Sequence, residues 1–528
     1  MLDGGRWIIP EYEGKPYLDQ PPLAAWLAAA SQRLTRLDPR LSYRIPVSLI
    51  AVIGLWVTYA GGRRLFGGRI AFLAVLIQAS TYYGFRRASW LDDDLYFAVG
   101  CAAAILGFSA ATRKGGPRLA ALGAWVGLAL ACLSKSVLFA AAIVLPLVAI
   151  PAFVEGGLDA LKRATLRIAR PLPIIVWLIL VLPWHVAAMR YGTDFIDAHL
   201  VGQHLARLWS SPWDARPLYQ YVVWLPALFL PWTLFLPLAF LHGKDRWERD
   251  GERLCFFWAI LAFVILSLAS SKKPGYALVL WPPLALLIAA ALNEETEWFS
   301  VWEDYLRDGV FRVAPYLLRV PIALVGIVAV LYIGGWWRDL ADDRLLEALS
   351  DRSRFLPLLF LALAAAAASF WFSRRMPALL AKRNYASAAF DLATAALVLF
   401  AVKGLIDPLW NPIFSKRDLL AVFEAKLPAD ATVALYGRRD PEVYYHLRRP
   451  LERLVYPDPL SPDDPARRRM EEIVRGTKPA FIIAAAEDFE RLRLHFPSLA
   501  GLLVPEAEGV SGLERQRILL LSNRRGAQ

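Results

Sequence analysis

The sequence predicts a polytopic α-helical membrane protein with a small α/β domain at its C-terminus. Hydrophobic residues make up 57% of the 528 positions, whereas an average soluble domain is about 45–50% apolar. Many segments have the roughly 20 apolar residues that a helix needs to cross a hydrocarbon core about 30 Å thick. From about residue 407, short alternating strand and helix patterns replace the hydrophobic runs, which indicates a domain outside the membrane.

About twelve spans are expected from these hydrophobic segments, and one further helix is expected at the membrane surface. Residues 22–38 are apolar on one face only and contain two arginines, which is typical of an amphipathic helix lying in the interface. The spans are expected at residues 42–61, 69–85, 95–112, 118–134, 136–154, 171–189, 219–240, 254–270, 276–292, 313–335, 355–373 and 386–406.

The loop charges predict the orientation of these spans. Lysine and arginine concentrate in the loop after the first span and in segments 113–118, 155–170 and 374–383. These loops alternate along the chain, so they share one side, which the positive-inside rule makes cytoplasmic. The net charge of +12 is therefore attributed to these loops rather than to nucleic-acid binding. Loop 293–312, with Glu294, Glu295 and Glu297, falls on the same side and fits the rule poorly.

Three regions follow from this arrangement. Residues 1–41 are expected to form an outer loop with the interfacial helix, residues 42–406 are expected to form the transmembrane domain, and residues 407–528 are expected to form the α/β domain. The α/β domain is expected on the same non-cytoplasmic side as the loop. Within the tail, the pattern predicts a helix at 415–427 and a strand at 431–437, then more helix, a strand at 480–486, a helix and a strand at 517–522. The three cysteines lie inside apolar spans and are interpreted as small buried hydrophobes, not as a disulfide or zinc framework.

Ionisable residues concentrate at the predicted outer face, where their cost near the bilayer suggests function. They are Asp19, Asp92–Asp94, Lys135, His199, His204, Arg207, Lys272 and Lys273. Each also has a simpler explanation: aspartates favour helix N-termini, lysines snorkel to the interface, and two histidines five residues apart are weak evidence for a metal site. Together they suggest an anionic ligand, since lysine and arginine bind phosphate through charge-assisted hydrogen bonds.

The motifs at these positions resemble those of the GT-C glycosyltransferases that use polyprenyl-phosphate sugars, a group that includes lipid A aminoarabinose transferases and protein O-mannosyltransferases. The opening GRWIIPEYEGKPYLDQPPLAAWL is similar to the outer-loop signature of that family. RASWLDDD is similar to its second acidic motif, which matches best at Asp92. LSKS around Lys135, QHLARL with His204 and Arg207, and SKKPGYALVLWPPLAL with Lys273 and Tyr276 resemble three further motifs in the same order.

This resemblance implies a GT-C fold and a site at the outer membrane face that accepts a polyprenyl-phosphate sugar. It implies that Lys135, Arg207, Lys273 and Tyr276 bind the donor phosphate and that Asp92 and Asp19 take catalytic roles, Asp19 as a base. Possible substrate contacts are Tyr17, Gln20, His204 and Tyr221. The acceptor is expected to be a lipid, a glycan or a protein; no cofactor is required by this interpretation, and a divalent metal stays open.

Two departures from the family pattern bear on activity. The family places a span and an Asp-Glu pair before the motif with which this sequence opens, so a truncated or misassigned start is expected. The family's lysine before Pro-Pro is Gln20 here, which brings a hydrogen-bond donor but no charge, and Lys15 is a possible substitute. Two alternatives therefore stay open: a lipid or solute transporter of about twelve spans, and an inactive scaffold that retains the GT-C fold.

Overall fold

The computed structural model describes residues 7–294 except 13–14, 114–115 and 198–215, and residues 385–523 except 415, 438–442, 444–445, 448, 450, 455–464 and 512–515. It also describes isolated positions between residues 363 and 379. The chain divides into two compact units, of which the first contains residues 1–324 and 363–401 and the second residues 325–362 and 402–528.

The described part of the first unit is helical apart from a short hairpin of β1 (Glu11–Tyr12) and β2 (Lys15–Pro16), and its last helix, α15, continues into the second unit. The helices are α1 (Leu23–Thr35), α2 (Pro39–Ser42), α3 (Ile45–Phe66), α4 (Gly68–Ala79), α5 (Tyr82–Arg87), α6 (Asp94–Thr112), α7 (Arg118–Ser134), α8 (Val137–Ile168), α9 (Pro171–Ala188), α10 (Thr193–Phe195), α11 (Gln220–Leu228), α12 (Leu236–Asp245), α13 (Asp250–Leu268), α14 (Trp281–Asn293) and α15 (Tyr385–Phe414). Among the described residues, 3₁₀ helices also lie at Met189–Tyr191, Trp232–Phe235 and Pro274–Leu280.

Six of the helical segments in the described part of the chain are long and apolar enough to cross a membrane, or seven if one bent pair is counted. They confirm the prediction of a polytopic helical membrane protein. The predicted spans 313–335 and 355–373 lie outside the described residues, apart from isolated positions in the second. The most buried spans are α6 and the segment Pro274–Asn293, so these two form the centre of the unit.

Two predicted spans differ from the helices in the structure. The segment predicted at 69–85 is α4, which has only 12 residues because Ser80 and Thr81 bond back to the carbonyls of Leu76 and Gln78 and the chain turns. The segment predicted at 219–240 is not one straight helix. It breaks between Leu228 and Trp232 and bends by 118°, next to a proline that has no amide hydrogen to continue a helix.

Small residues set the distance between α6 and α7. A Cβ added to Gly100 would lie 2.6 Å from the amide nitrogen of Ala131 and 2.7 Å from the carbonyl oxygen of Gly127. Helices in lipid associate through such close backbone approach, since lipid tails supply no hydrophobic drive between them. Gly100 therefore positions α6, the helix that begins at Asp94, against α7, the helix that ends just before Lys135.

The second unit contains a five-stranded sheet in the order β4-β3-β5-β7-β6. β3 pairs in parallel with β4 and β5, whereas β7 pairs antiparallel with β5 and β6. Its elements are α16 (Arg417–Lys426), β3 (Thr432–Tyr436), β4 (Leu451–Leu454), α17 (Pro465–Arg475), β5 (Ala480–Ala485), α18 (Ala486–His495), α19 (Pro497–Ala500), β6 (Val504–Ser511) and β7 (Gln516–Ser522). The predicted α/β domain is confirmed.

Alternate residues of the sheet pack into two cores, as the period of two in a strand requires. Ala434 and Tyr436 face a core that includes residues of α17, α18 and α19, whereas Val433 and Leu435 face a core that includes residues of α16. The sheet is therefore covered by helices on both faces.

Replacing Gly100 with alanine should lower the free energy of unfolding by about 1–3 kcal/mol, because the new methyl group meets backbone atoms that cannot move aside. The measurement is thermal or denaturant unfolding of the full chain in detergent. Gly123→Ala, in α7, is the matched control: its Cβ meets nothing within 4 Å, so it should be neutral or slightly stabilising. Equal destabilisation by both substitutions would contradict the assignment of Gly100 to a close helix contact.

Candidate functional site

The candidate site is built around the carboxylate of Asp94, the first residue of α6. Its Oδ2 lies 2.9 Å from Nη2 of Arg87 and its Oδ1 lies 2.5 Å from Nζ of Lys135. Asp94 is 8% exposed, so its charge is stable there only because both cations are in contact with it. One buried carboxylate thus holds two cations from different parts of the chain, α5 and the turn between α7 and α8.

Asp92 joins this group from the turn before α6. It forms an ion pair with Arg87, and its Oδ1 accepts a hydrogen bond of 3.1 Å from the amide of Asp94. The second contact caps the first turn of α6, where an acceptor is favoured by the unpaired amides. Asp92 therefore positions Arg87 and the start of α6 together.

Asp93 connects the N-terminal loop to the same cluster. The side-chain amide of Gln20 donates a hydrogen bond to Oδ2 of Asp93. Burial raises the pKa of Asp93 to about 6; Lys135 opposes the rise, and the nearby charge of Asp94 adds to it. Gln20, which occupies the position of the lysine in the similar motifs, is therefore a neutral hydrogen-bond donor to the carboxylate of Asp93.

The loop that carries Gln20 is held by contacts at the residues before it. The amide of Tyr17 donates to the carbonyl of Pro10 at 2.8 Å, and Leu18 packs in a small apolar cluster with Trp184, Ala188 and Phe195. These contacts position the chain that leads to Gln20.

Lys135 is also covered by an aromatic ring. Its Nζ lies 4.5 Å from the ring centroid of Tyr276, within the range of a cation–π interaction. Tyr276 packs against Phe139, with 5.7 Å between the ring centroids. Lys135 and Tyr276, both predicted to bind the donor phosphate, are therefore in contact with each other.

The backbone next to Tyr276 approaches Asp94 so closely that only glycine fits. A Cβ added to Gly275 would lie 1.7 Å from Oδ2 of Asp94. The residues before it are held by Tyr221, whose hydroxyl donates a hydrogen bond of 3.0 Å to the carbonyl of Lys273. Segment 273–276 therefore lies directly against the carboxylate cluster, and Tyr221 positions it.

The structure separates the roles of two adjacent lysines that the sequence does not distinguish. Lys272 is buried, and its Nζ donates to the carbonyls of Arg216, at 3.1 Å, and Ala269. Burial lowers the pKa of Lys272. Lys272 thus ties the end of α13 to the chain before α11, whereas Lys273 is the more exposed of the two.

The structure brings together most of the predicted residues that it describes. Asp92, Lys135, Tyr276 and, through Asp93, Gln20 form one connected group, and Tyr221 and Lys273 join it through the backbone. His204 and Arg207 lie outside the described residues. Four residues of the site were not assigned a role from the sequence: Arg87, Asp93, Asp94 and Gly275. The sequence feature that could have identified Asp94 is its position as the aspartate nearest the apolar span.

No three histidine, cysteine, aspartate or glutamate side chains converge to hold a metal ion among the residues that the structure describes. The three consecutive aspartates face different partners, namely Arg87, Gln20 and the Arg87–Lys135 pair. Their oxygens are thus used to position cations and the N-terminal loop. The cations in contact with these carboxylates are Arg87 and Lys135.

Comparison with known proteins identifies relatives in sequence and in fold. The profile of the dolichyl-phosphate-mannose-protein mannosyltransferase family matches residues 19–184. The chain is 26% identical over 344 residues to an undecaprenyl phosphate-alpha-4-amino-4-deoxy-L-arabinose arabinosyl transferase of Edwardsiella ictaluri, a match that covers 64% of this chain and 59% of the relative. A relative of the same description from Pseudomonas fluorescens is 28% identical over 63% of this chain and 57% of its own length.

Two solved structures share the fold. They are ArnT from Cupriavidus metallidurans in the apo state, with a TM-score of 0.73, and the same protein bound to undecaprenyl phosphate, with a TM-score of 0.74. Each match has 18% sequence identity and covers 100% of this chain and 92% of the other. In sequence, the chain matches less than two thirds of the length of the curated relatives. The comparisons confirm the resemblance to GT-C glycosyltransferases and the GT-C fold.

Gly275→Ala should lower the free energy of unfolding by about 1–3 kcal/mol, since the added methyl group collides with a carboxylate that two cations hold in place. The same substitution should cost less in an Asp94→Ala background, where the collision is absent, and a double-mutant cycle measures this difference. Gly68→Ala, whose Cβ meets nothing within 4 Å, is the control. Additive effects of Gly275→Ala and Asp94→Ala would contradict the proposed contact.

Asp93 predicts a pH dependence of stability with a defined sign. Its pKa is about 6 in the folded protein, whereas an aspartate in the unfolded chain has its ordinary pKa of 3.8, so the folded state holds more protons between these values. Stability is therefore lost as pH rises from about 4 to 6, by on the order of 1–2 kcal/mol. Asp93→Asn should remove this loss, which unfolding of both proteins from pH 4 to 7 measures. A constant difference between the two across that range would show that Asp93 titrates alike in both states.

Proposed function

We propose that this protein is an integral membrane glycosyltransferase that transfers a sugar from a polyprenyl phosphate to an acceptor at one face of the membrane. The observation that carries the proposal is the Asp94-centred group, in which Arg87 and Lys135 are held side by side where α6 begins. Catalysis of this transfer needs positive charge aimed at the leaving phosphate, because charge develops on that oxygen in the transition state.

The proposed donor is a polyprenyl-phosphate sugar such as undecaprenyl phosphate-4-amino-4-deoxy-L-arabinose, the donor in the names of the curated relatives. An apolar cavity of about 360 Å³ supports this choice. It lies beside the cluster, between residues that directly follow Arg87 and Asp94, namely Ala88 and Leu95, and its far wall includes Val52 and Leu397. It would take part of the prenyl chain while the phosphate lies against Lys135.

Each residue of the site has a separate role in the proposed reaction. Lys135, Lys273 and Arg207 neutralise the donor phosphate, and the hydroxyl of Tyr276 donates to one of its oxygens. Asp94 and Asp92 hold Lys135 and Arg87 in place rather than contact the sugar. The bond between the anomeric carbon and the phosphate oxygen breaks, and its electron pair leaves with the phosphate.

The acceptor oxygen forms the new bond to the anomeric carbon. A hydroxyl acceptor must lose its proton as it attacks, and Asp19 is the proposed base, since Gln20 beside it bonds to Asp93. An acceptor phosphate is already ionised and needs no base. We propose lipid A as the acceptor, by analogy with the arabinosyl transferases, and the periplasmic face of the inner membrane as the location, because the basic loops predict the other face to be cytoplasmic.

The direct test is transfer by the purified full chain from undecaprenyl phosphate-4-amino-4-deoxy-L-arabinose, and in parallel from other polyprenyl-phosphate sugars, to lipid A. Mass spectrometry of the lipid product measures it. Appearance of lipid A carrying the sugar supports the proposal. No transfer from any donor by a folded protein would contradict it and favour the inactive scaffold.

Lys273→Gln and Lys135→Gln should each reduce kcat/KM by about 10²–10³-fold, because each removes a positive charge from the leaving phosphate. Lys162→Gln, an exposed residue of α8, removes the same charge elsewhere and should retain activity within about twofold. Because Lys135 also neutralises buried Asp94, and because a change at Lys273 can disturb its own contacts, both variants require a parallel unfolding measurement. Activity close to wild type in both would refute the assigned roles.

A further inference from the structure

A second polar site lies at the opposite end of α6 from the carboxylate cluster. A cavity of about 570 Å³ is enclosed by the C-terminal end of α6, the bent helix α8 and the first turn of α13. Since α6 has 19 residues, its two ends are about 28 Å apart. We refer to this space, lined by Arg113, Arg163, Arg167 and Arg253, as the arginine cavity.

The arginine cavity is strongly basic. Its lining has four arginines and one carboxylate, that of Asp250, so its formal charge is +3. Arg113 and Arg253 share this carboxylate, with Nη2 atoms 3.3 Å and 2.8 Å from its oxygens. A guanidinium cannot lose its proton in a protein, so this charge is not relieved by titration.

Two of the arginines come from the part of α8 that follows a break. Gly156 and Gly157 have non-helical backbone angles, and Gly157 has φ of +64°, a conformation that favours glycine. After the break, Arg167 donates to the carbonyl of Thr112 at the end of α6. Arg163 lies at the exposed mouth of the cavity with no hydrogen bond or ion pair to any residue that the structure describes.

The deep part of the arginine cavity is apolar. Ile105 and Leu147 are completely buried there, and Leu254 is 6% exposed. The lining thus changes from hydrocarbon to guanidinium along the direction from the helix bundle to the end of the helices. This matches an amphiphile with one phosphate and adjoining apolar groups, and the volume lies within the roughly 300–1,000 Å³ of small-molecule sites.

We propose that the arginine cavity binds the phosphate headgroup of an anionic membrane lipid, in the leaflet opposite to the carboxylate cluster. Guanidinium groups bind phosphate oxygens in pairs with good geometry, and basic pockets between helices are suited to such headgroups. Arg163 and Arg167 contact the phosphate, while the first carbons of the lipid lie against Ile105 and Leu147. The site is independent of the proposed transferase activity, since it shares no residue with the donor site.

The test is titration of the full chain in neutral detergent with phosphatidylglycerol, followed by native mass spectrometry. Arg163→Gln should weaken phosphatidylglycerol binding about five- to tenfold. Lys162→Gln removes the same charge from the neighbouring position, which does not line the cavity, and should change binding by less than twofold. Equal effects of the two substitutions, or equal binding of phosphatidylglycerol and neutral phosphatidylcholine, would overturn the proposal.

A second variant tests the apolar part without changing charge. Ala152→Trp fills the cavity, whereas Val154→Trp is on the exposed side of the same helix. Only Ala152→Trp should reduce phosphatidylglycerol binding, and melting temperatures within a few degrees of wild type confirm that both variants are folded.

Competition with inorganic phosphate at millimolar concentration distinguishes a lipid headgroup from free phosphate as the bound anion. If phosphate does not displace the lipid, the result supports a lipid site. If phosphate displaces the lipid fully and binding shows no measurable lipid selectivity, the result overturns the proposal in favour of free phosphate.

Discussion

The contact on which the candidate site depends is the one between the carboxylate of Asp94 and the two cations Arg87 and Lys135. An ionised group near the end of a membrane helix is costly unless it is paired. Pairing with both cations ties the start of α6 to α5 and to the turn after α7. Gly275 then brings the backbone of segment 273–276 against the same carboxylate, so four separate parts of the chain meet at one charge.

The charged residues in this arrangement have different roles. A cation that is to stabilise a leaving phosphate must be present before the reaction and must not collapse onto other groups. Asp94 and the ring of Tyr276 hold Lys135 in place, and Lys272 is occupied by backbone carbonyls. The adjacent Lys273 has its backbone held by Tyr221. Buried contacts thus position Lys135 and Lys272, and the hydroxyl of Tyr221 holds the backbone of Lys273.

The two ends of α6 have opposite electrostatic character. Its N-terminal end carries three consecutive aspartates, two of which are paired with Arg87 and Lys135, whereas its C-terminal end opens onto four arginines and one aspartate. The second pattern agrees with the excess of lysine and arginine in the loops predicted to be cytoplasmic. The same helix thus has the carboxylate cluster at one end and the arginine cavity at the other.

The sequence by itself determined the class of protein, most of the helices and the order of the motifs, because hydrophobic length and strand alternation are local properties. It missed β4 and β6, the edge strands of the sheet, which carry many polar residues and lack the strong alternation of the central strands. It also could not show that α4 ends early or that α11 and α12 form a bent pair. Tertiary structure alone decided the different environments of the three aspartates and of the two lysines. Asp94 rather than Asp92 lies between the two cations Arg87 and Lys135, and Lys272 rather than Lys273 is buried. The physical reason is that the energy of a charge depends on the partners that packing brings to it from distant parts of the chain.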